Sequence, residues 1–364
     1  MKPSLVILEG NCYLHAGEAN WCKDFNACGF PTSGLYLLMS KICNLQLDEI
    51  PYAVVFDSPS FRKSIDSEYK KSRKVDHKIL AQSNAIIPML KRAGVNVLQV
   101  PEFEGDDLVA NIIQANPDFR SVVYTCDYDL TINVSRNVSI CGCKKGFPSI
   151  NVNNFESIME RVESRKIPYN TMGMYKAVFG CSSDEIKSIG PEAEKFWSVF
   201  MQILERDFTS KDRVLIVNRN YCEKFAKAVS SMFSPETIRR FNSNIVLVFP
   251  RMLTEKEILD NNISLTEFSN VSENDLIDIV RLFNMKKLYK MLTNSNDGCD
   301  INEREKNWLL KKARDYKMRA DAVSAEIDIN QKATFNDKSI EDEDEVSEQS
   351  DFNKAVNGLN IGLF

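Results

Sequence analysis

Histidine is nearly missing from this chain: there are two, His15 and His77, in 364 residues. A zinc centre built from several imidazoles is therefore excluded, and so is most Ser-His-Asp chemistry, which needs a histidine base beside its nucleophile. Long apolar runs are absent too. No stretch of 18 uncharged apolar residues occurs, so no membrane-spanning helix is expected. The stretch from Met1 to Glu9 carries an apolar run too short for a signal peptide and halted by a glutamate, which reads as a buried strand and a cytoplasmic protein. Ten cysteines are present, but no CxxC pair, and only Cys141 and Cys143 stand close together. A chain of this length needs no disulfide scaffold, so reduced core or surface thiols follow.

A chain of 364 residues, 43% hydrophobic and 10% aromatic, has material for one large or two smaller cores. The net charge of −5 looks wrong for a nucleic-acid-binding protein until its placement is considered. Residues 337–351 hold eight acids against Lys338 alone, and setting that stretch aside leaves a body of +2. The folded part is thus mildly basic, with an acidic tail.

Apolar, β-branched runs at 5–8, 52–56, 95–100, 121–125 and 138–141 alternate with helical patterns such as 35–43, 78–93 and 107–115. Strands alternating with helices predict a mostly parallel sheet covered on both faces, an α/β architecture. Ligands of such sheets bind outside the carboxyl ends of the strands. Helical patterns dominate from residue 171, with one further strand-like run at 244–249 and a long charged helix at 302–326. The expected division is 1–170, 171–328 and a disordered acidic tail, 329–364.

Carboxylates fall where the predicted strands end. Glu9 closes the first and Asp57 the second; the third leads into Glu104-Gly105-Asp106-Asp107, and the fourth ends in Asp127-Tyr128-Asp129. One acid after a strand is commonplace as a helix cap. Four successive strand ends bearing acids, two of them in pairs, are hard to explain as caps. Gathered on one edge they repel unless cations neutralise them, and hard oxygen ligands of this number suit Mg²⁺ or Mn²⁺. Two such ions activate water and stabilise the leaving oxygen of a phosphodiester.

The order of these motifs resembles the 5′ nuclease family: flap endonucleases, phage 5′-3′ exonucleases and the 5′ nuclease domain of bacterial DNA polymerase I. Leu5–Gly10, Phe30-Pro31-Thr32-Ser33-Gly34, Phe56–Arg62, Glu68–Arg73, the Glu104 quartet, Thr125–Leu130 and Gly180–Ile186 followed by Ser188-Ile189-Gly190-Pro191 each look like a family motif. The resemblance spans roughly residues 1–200. It implies a PIN-like (resolvase-like) sheet, a helical arch near 62–85, a helix-hairpin duplex-binding motif near 180–200, and a monomer. One metal group would involve Asp57, Glu104, Asp106 and Asp127, with Glu9 at the first-strand site. Asp129 and Asp184 would hold a second ion, with Asp107 nearby. Two positions depart from the family: Glu9 and Cys181 stand where aspartates are usual. A thiolate is a poor ligand for Mg²⁺, so the second site is expected to be the weaker.

Seven basic residues lie between Arg62 and Lys78 (Arg62, Lys63, Lys70, Lys71, Arg73, Lys74 and Lys78), interleaved with Tyr69. Cations for phosphates and rings for bases suit a flexible 5′ end. By resemblance, Lys70 and Arg73 would contact the scissile phosphate and Tyr69 would stack on a base. Ser188 and Gly190 would present backbone amides to duplex phosphates without reading sequence. The implied substrate is DNA with a 5′ single-stranded flap, or an RNA-DNA hybrid, as in primer removal during phage or bacterial replication. The alternative is a junction-binding replication factor with weakened catalysis. Ile361, Leu363 and Phe364 end the chain in a segment resembling a sliding-clamp peptide, so a clamp or single-strand-binding protein is the expected tail partner.

Overall fold

In a computed structural model, residues 2–21, 28–207, 217–268, 271–295, 301–315 and 317–318 are described. The nucleotide-scale α/β half begins with β1 (Leu5–Glu9), α1 (Gly10–Trp21), α2 (Ser33–Leu47), β2 (Tyr52–Val55), α3 (Arg62–Ile65) and α4 (His77–Arg92). It continues with β3 (Asn96–Leu98), α5 (Gly105–Ala115), β4 (Ser121–Thr125) and β5 (Val138–Gly142). The strands form one sheet in the order β3-β2-β1-β4-β5, and every pairing is parallel. All five strands fall where the sequence places them, to within two residues at either end.

Strand order reverses direction between β1 and β4, the switch point at which such sheets bind ligands. Alternate side chains feed two cores. Leu5, Ile7, Val55, Leu98, Val123 and Ile140 point to one face, and Val6, Leu8, Tyr52, Val54 and Val97 to the other. Burial on both faces accounts for strands that read as nearly continuous apolar runs.

The helices that follow are α6 (Phe155–Glu163), α7 (Met172–Phe179), α8 (Ala193–Asp207), α9 (Arg219–Val229), α10 (Pro235–Val248), α11 (Glu255–Asp260), α12 (Glu273–Leu282) and α13 (Lys286–Thr293), then a helix over residues 303–315. They do not make a separate second domain. Residues of α6 to α10 join α5 on the first face, through Met174, Phe196, Phe225, Phe241 and Ile245. The chain then crosses to the other face, where Leu276, Val280, Phe283, Leu288 and Leu309 pack with Phe30, Leu35 and Ile86. The amide of Ser272 donates to the Ala93 carbonyl at 2.8 Å, and Asn96 binds the carbonyls of Ser264 and Glu267, fixing the crossing. The boundary expected at 170 is thus not a boundary between cores.

Two further expectations are corrected. Residues 244–249, read as a strand from their β-branched content, end α10. Ser234 caps its first turn, Pro235 sits at its start, and Phe241, Asn244 and Ile245 face inward at helical spacing. The segment 62–85 is not a helical arch. It is the single turn of α3, a looped stretch and then α4, because Asp66 closes α3 and receives the Glu68 amide, Lys70 takes a left-handed φ of 50°, and Asp76 caps α4. The charged helix predicted over 302–326 is described as far as 318; the remainder and the tail with Ile361, Leu363 and Phe364 lie outside the described residues.

If α12 and α13 belong to the same cooperative unit as the sheet, Phe283→Ala should lower the single urea transition of the whole chain by about 3–5 kcal/mol. Phe283 is buried and stacks on Phe30 with centroids 6.1 Å apart. Two separated transitions, only one of them shifted, would contradict this arrangement.

Candidate metal and nucleic-acid site

The carboxyl ends of β1, β2 and β4, with the start of α5, deliver the acids to one edge of the sheet. A cleft of about 780 Å³ there is lined by Glu9, Asp57, Arg73, Asp127, Asp129, Lys176 and Cys181 among others. Two sets of acids can be told apart by what neutralises them.

The first set is Glu9, Asp57, Asp106 and Asp127. Burial, then the charges of Asp127 and Asp57, push Glu9 up to about 8. Burial and the charges of Asp127 and Glu9 raise Asp106 well above the carboxylate range, and burial with Asp129 raises Asp127. Asp106 receives no hydrogen bond from the described residues. Asp57 accepts from Asn11 and from the Gly105 amide, each at 2.6 Å. Glycine at 105 suits that approach, since a Cβ there would stand 3.0 Å from the Asp57 oxygen. Glu9 receives the Thr125 hydroxyl across the switch point, so its extra methylene reaches the end of β4. No three of these carboxylates bring ligand atoms within 4.8 Å of one another.

The second set is Asp129, Cys181 and Asp184, whose ligand atoms do lie within 4.8 Å of one another. Gly180, at φ +86°, makes the turn that brings Cys181 in; a Cβ there would sit 2.3 Å from the Ile186 carbonyl. This set already holds a cation. Lys176, buried in α7, places its ammonium on Asp129 and 4.0 Å from the Cys181 sulfur. Burial opposes ionisation of Asp129, but Lys176 outweighs it and holds the group below its ordinary value. Asp184 is raised to about 6 by burial, against the pull of Lys70 and Arg73. The donors therefore fit a hard divalent ion poorly: one is a thiol, and one is paired to an internal lysine.

Arg62, Tyr69, Glu104 and Asp107 are the sequence-predicted residues that the structure reassigns. Arg62, expected on a DNA-binding arch, is 3% exposed. Its guanidinium donates to both Asp107 oxygens at 2.7 and 2.9 Å, to Glu104 at 2.7 Å, and to the Leu247 carbonyl at the end of α10 at 2.8 Å. Asp107 is fully buried and also accepts the amides of Glu104 and Arg251, so the four lone-pair directions of its carboxylate are used and none remains for an ion. Tyr69 is 2% exposed, packed against Ile186 and Leu247, and donates to Glu104; it is not a free stacking platform. Glu104 accepts from Arg62, Tyr69 and Lys70, and against the cost of burial the charges of Lys70 and Arg62, with these hydrogen bonds, hold it below its usual value.

Lys70 is 2.6 Å from Glu104 and 3.4 Å from Asp184, and its own amide donates to the Asp184 carbonyl. Arg73 reaches Asp184 at 3.0 Å while half exposed. Lys63, Lys71 and Lys74 are exposed. Ser188 binds the Val178 carbonyl, and the Gly190 amide is directed at the Ser188 hydroxyl at 3.3 Å, so that amide is engaged internally. Sequence reasoning missed Lys176 and Thr125. A lone charge in the apolar helix Met-Gly-Met-Tyr-Lys-Ala-Val-Phe was the available signal for Lys176. Thr125 had none beyond its place at a strand end.

The doubly wound parallel sheet with this ring of acids at its carboxyl edge has a resolvase-like architecture. Residues 5–163 match the family described as 5'-3' exonuclease, N-terminal resolvase-like domain. The chain is 29% identical over 201 residues to the 5'-3' exonuclease of Aquifex aeolicus, covering 52% of this chain and 66% of that protein. It is 30% identical over 203 residues to DNA polymerase I of Mycobacterium tuberculosis, covering 53% of this chain and 22% of the polymerase. The chain thus spans under two thirds of these relatives. Among solved structures, the T5 D15 protein co-crystallised with metal ions aligns with 85% of this chain and 99% of its own, at 14% identity and a TM-score of 0.44. Flap endonuclease-1 from Methanococcus jannaschii aligns with 88% and 94%, at 15% identity and 0.41.

Two outcomes follow from this geometry. Arg62→Met should cost about 3–5 kcal/mol in chemical denaturation, because it leaves Asp107 buried and unpaired; a surface phosphate contact would move stability by less than about 0.5 kcal/mol. Glu9, at about 8, is protonated at pH 7 in the metal-free protein, so ion binding must expel its proton. Affinity for Mg²⁺ should therefore weaken as pH falls below 8. Calorimetry in two buffers of different ionisation enthalpy should register proton release, and heats independent of buffer would contradict it.

Proposed function

We propose that this chain is a divalent-metal-dependent 5′ nuclease acting where a 5′ single strand meets duplex, on DNA flaps or RNA-DNA hybrids. The observation that carries the reading is the first acid set. Burial raises Glu9, Asp106 and Asp127, the charge of Asp127 adds to the rise of Glu9 and Asp106, and too little internal cation offsets it, so the edge is suited to take one from outside. Asp57, Asp106, Asp127 and Glu9 would hold a Mg²⁺ or Mn²⁺ ion, whose chemistry is water activation and stabilisation of the departing oxygen. Arg73, lining the cleft and half exposed, supplies a cation for the phosphate beside that set. Lys70 stands behind it, between Glu104 and Asp184, and adds charge that costs no reorganisation when negative charge develops. Lys63, Lys71 and Lys74 form the exposed track for the incoming strand.

A second ion at Asp129 and Asp184 must compete with the ammonium of Lys176. That pairing favours, as a second reading, a junction-binding protein whose catalysis is weak. The tail peptide Ile361, Leu363 and Phe364 as an anchor for a sliding clamp or single-strand-binding protein is a separate proposal, tested by pull-down with and without residues 359–364.

A 5′-labelled flap substrate with Mg²⁺ or Mn²⁺ decides between the readings. Cleavage should fall by roughly 10²–10³-fold in Asp127→Asn and in Lys70→Ala, with duplex binding changed far less for Lys70→Ala. The double change Lys176→Met with Cys181→Asp should raise turnover by opening the second set to an ion. Tight flap binding without cleavage in every variant would leave the binding protein as the answer.

A further inference from the structure

Beside the acid edge, and used by none of the chemistry above, three sulfurs converge. Cys12 lies in the first turn of α1, Cys126 directly after β4, and Cys143 directly after β5. The Cys143 sulfur is 3.2 Å from that of Cys12 and 3.1 Å from that of Cys126, and all three lie within 4.8 Å of one another. They come from three separate segments, 114 and 17 residues apart, and meet where β1 and β4 part at the switch point. Nothing in the sequence spacing shows this, because only Cys141 and Cys143 are neighbours in the chain.

The arrangement must be weighed against its two simpler explanations. As plain thiols, the three make only weak hydrogen bonds to one another, and Cys12 also accepts the Cys126 amide at 2.9 Å. All three are partly buried, so a loose trio would gain from facing apolar side chains instead. As a disulfide, either pair that includes Cys143 would have to close by about 1.1 Å to reach about 2.05 Å, leaving the third sulfur stranded. As ligands of a tetrahedral ion with bonds of about 2.3 Å, the two separations from Cys143 need widen by only about 0.6 Å, and all three sulfurs are used. The smallest movement that satisfies every sulfur is therefore around a metal.

We propose that Cys12, Cys126 and Cys143 form a trithiolate site for a soft divalent ion, zinc, distinct from the hard-ion carboxylate edge. Thiolates select zinc where carboxylates select Mg²⁺ or Mn²⁺, so the two adjacent sites sort ions by softness. Cys12 and Cys126 also line the cleft, which leaves the fourth position to a water on that side. The site ties the start of α1 to the ends of β4 and β5. Cys12 is three residues beyond Glu9, and Cys126 immediately precedes Asp127. The zinc thus positions both acids without touching the substrate.

The test uses the full chain, purified under thiol reductant, stripped with chelator and reloaded with Zn²⁺ or, for spectroscopy, Co²⁺. One equivalent of zinc should remain after dialysis against excess Mg²⁺, and the Co²⁺ form should show sulfur-to-cobalt charge-transfer absorption. Cys126→Ser and Cys143→Ser should each lose that absorption and bind zinc more weakly by more than the ~10–100-fold that outer-shell changes cost. Asp57→Asn and Asp129→Asn should keep both signals. Circular dichroism of each stripped variant separates lost binding from lost fold, and zinc should raise the melting temperature of the parent and of the aspartate variants only. The proposal is overturned if the serine variants retain zinc like the parent, if the aspartate variants are the ones that lose it, or if mass spectrometry finds a disulfide among the three in the reduced protein. These readouts need no cleavage assay, so they stand or fall apart from the proposed nuclease activity.

Discussion

The fork of Arg62 on Asp107 is the contact on which the rest of the molecule depends. A charge at 3% exposure is tolerable only when every donor is matched, and here the partners come from two places. Asp107 and Glu104 stand at the start of α5, and the Leu247 carbonyl ends α10. The anion lies at a helix N-terminus and the cation at a helix C-terminus, the ends that favour each sign. One residue next to β2 thereby locks the helical layer onto the sheet edge. Glu104 then passes the constraint on, since Tyr69 and Lys70 also converge on it.

The acid edge is neutralised unevenly. At Glu9, Asp106 and Asp127, burial and neighbouring carboxylates raise the pKa values. Beside Cys181, a lysine from α7 supplies internal positive charge and pulls Asp129 down. One half of the edge calls for an ion and the other half brings its own.

Much of this was legible in the sequence, because the strands carry their signal in local composition. Runs such as Leu5-Val6-Ile7-Leu8 have no alternative to burial on both faces, and the acids that follow them are fixed to one edge by parallel pairing. What was not legible depends on distant partners. Arg62 and Tyr69 look like solvent-facing members of a basic run, and only the return of α10 buries them. Asp107 and Asp106 are adjacent and chemically identical, yet helix rotation sends one into an arginine fork and the other to the edge. The end of α10 misled through Ile245, Val246 and Val248, although Ser234-Pro235 carried a helix-start signal that outweighs β-branched content. The meeting of Cys12, Cys126 and Cys143 is tertiary and had no local signature.

The pairing of the basic segment with internal acids bears on how ionic strength governs association. Seven basic residues between 62 and 78 invite the inference that each neutralises a phosphate and that affinity collapses with salt accordingly. Yet Arg62 is sealed in the core, and Lys70 is shared between two carboxylates. Only the residues that displace condensed counterions from the nucleic acid enter the logarithmic salt slope, at roughly 0.9 per phosphate on duplex. On the proposed reading, the slope would be set by the exposed remnant, Lys63, Lys71, Arg73 and Lys74, and would be shallower than the count of positive charges implies.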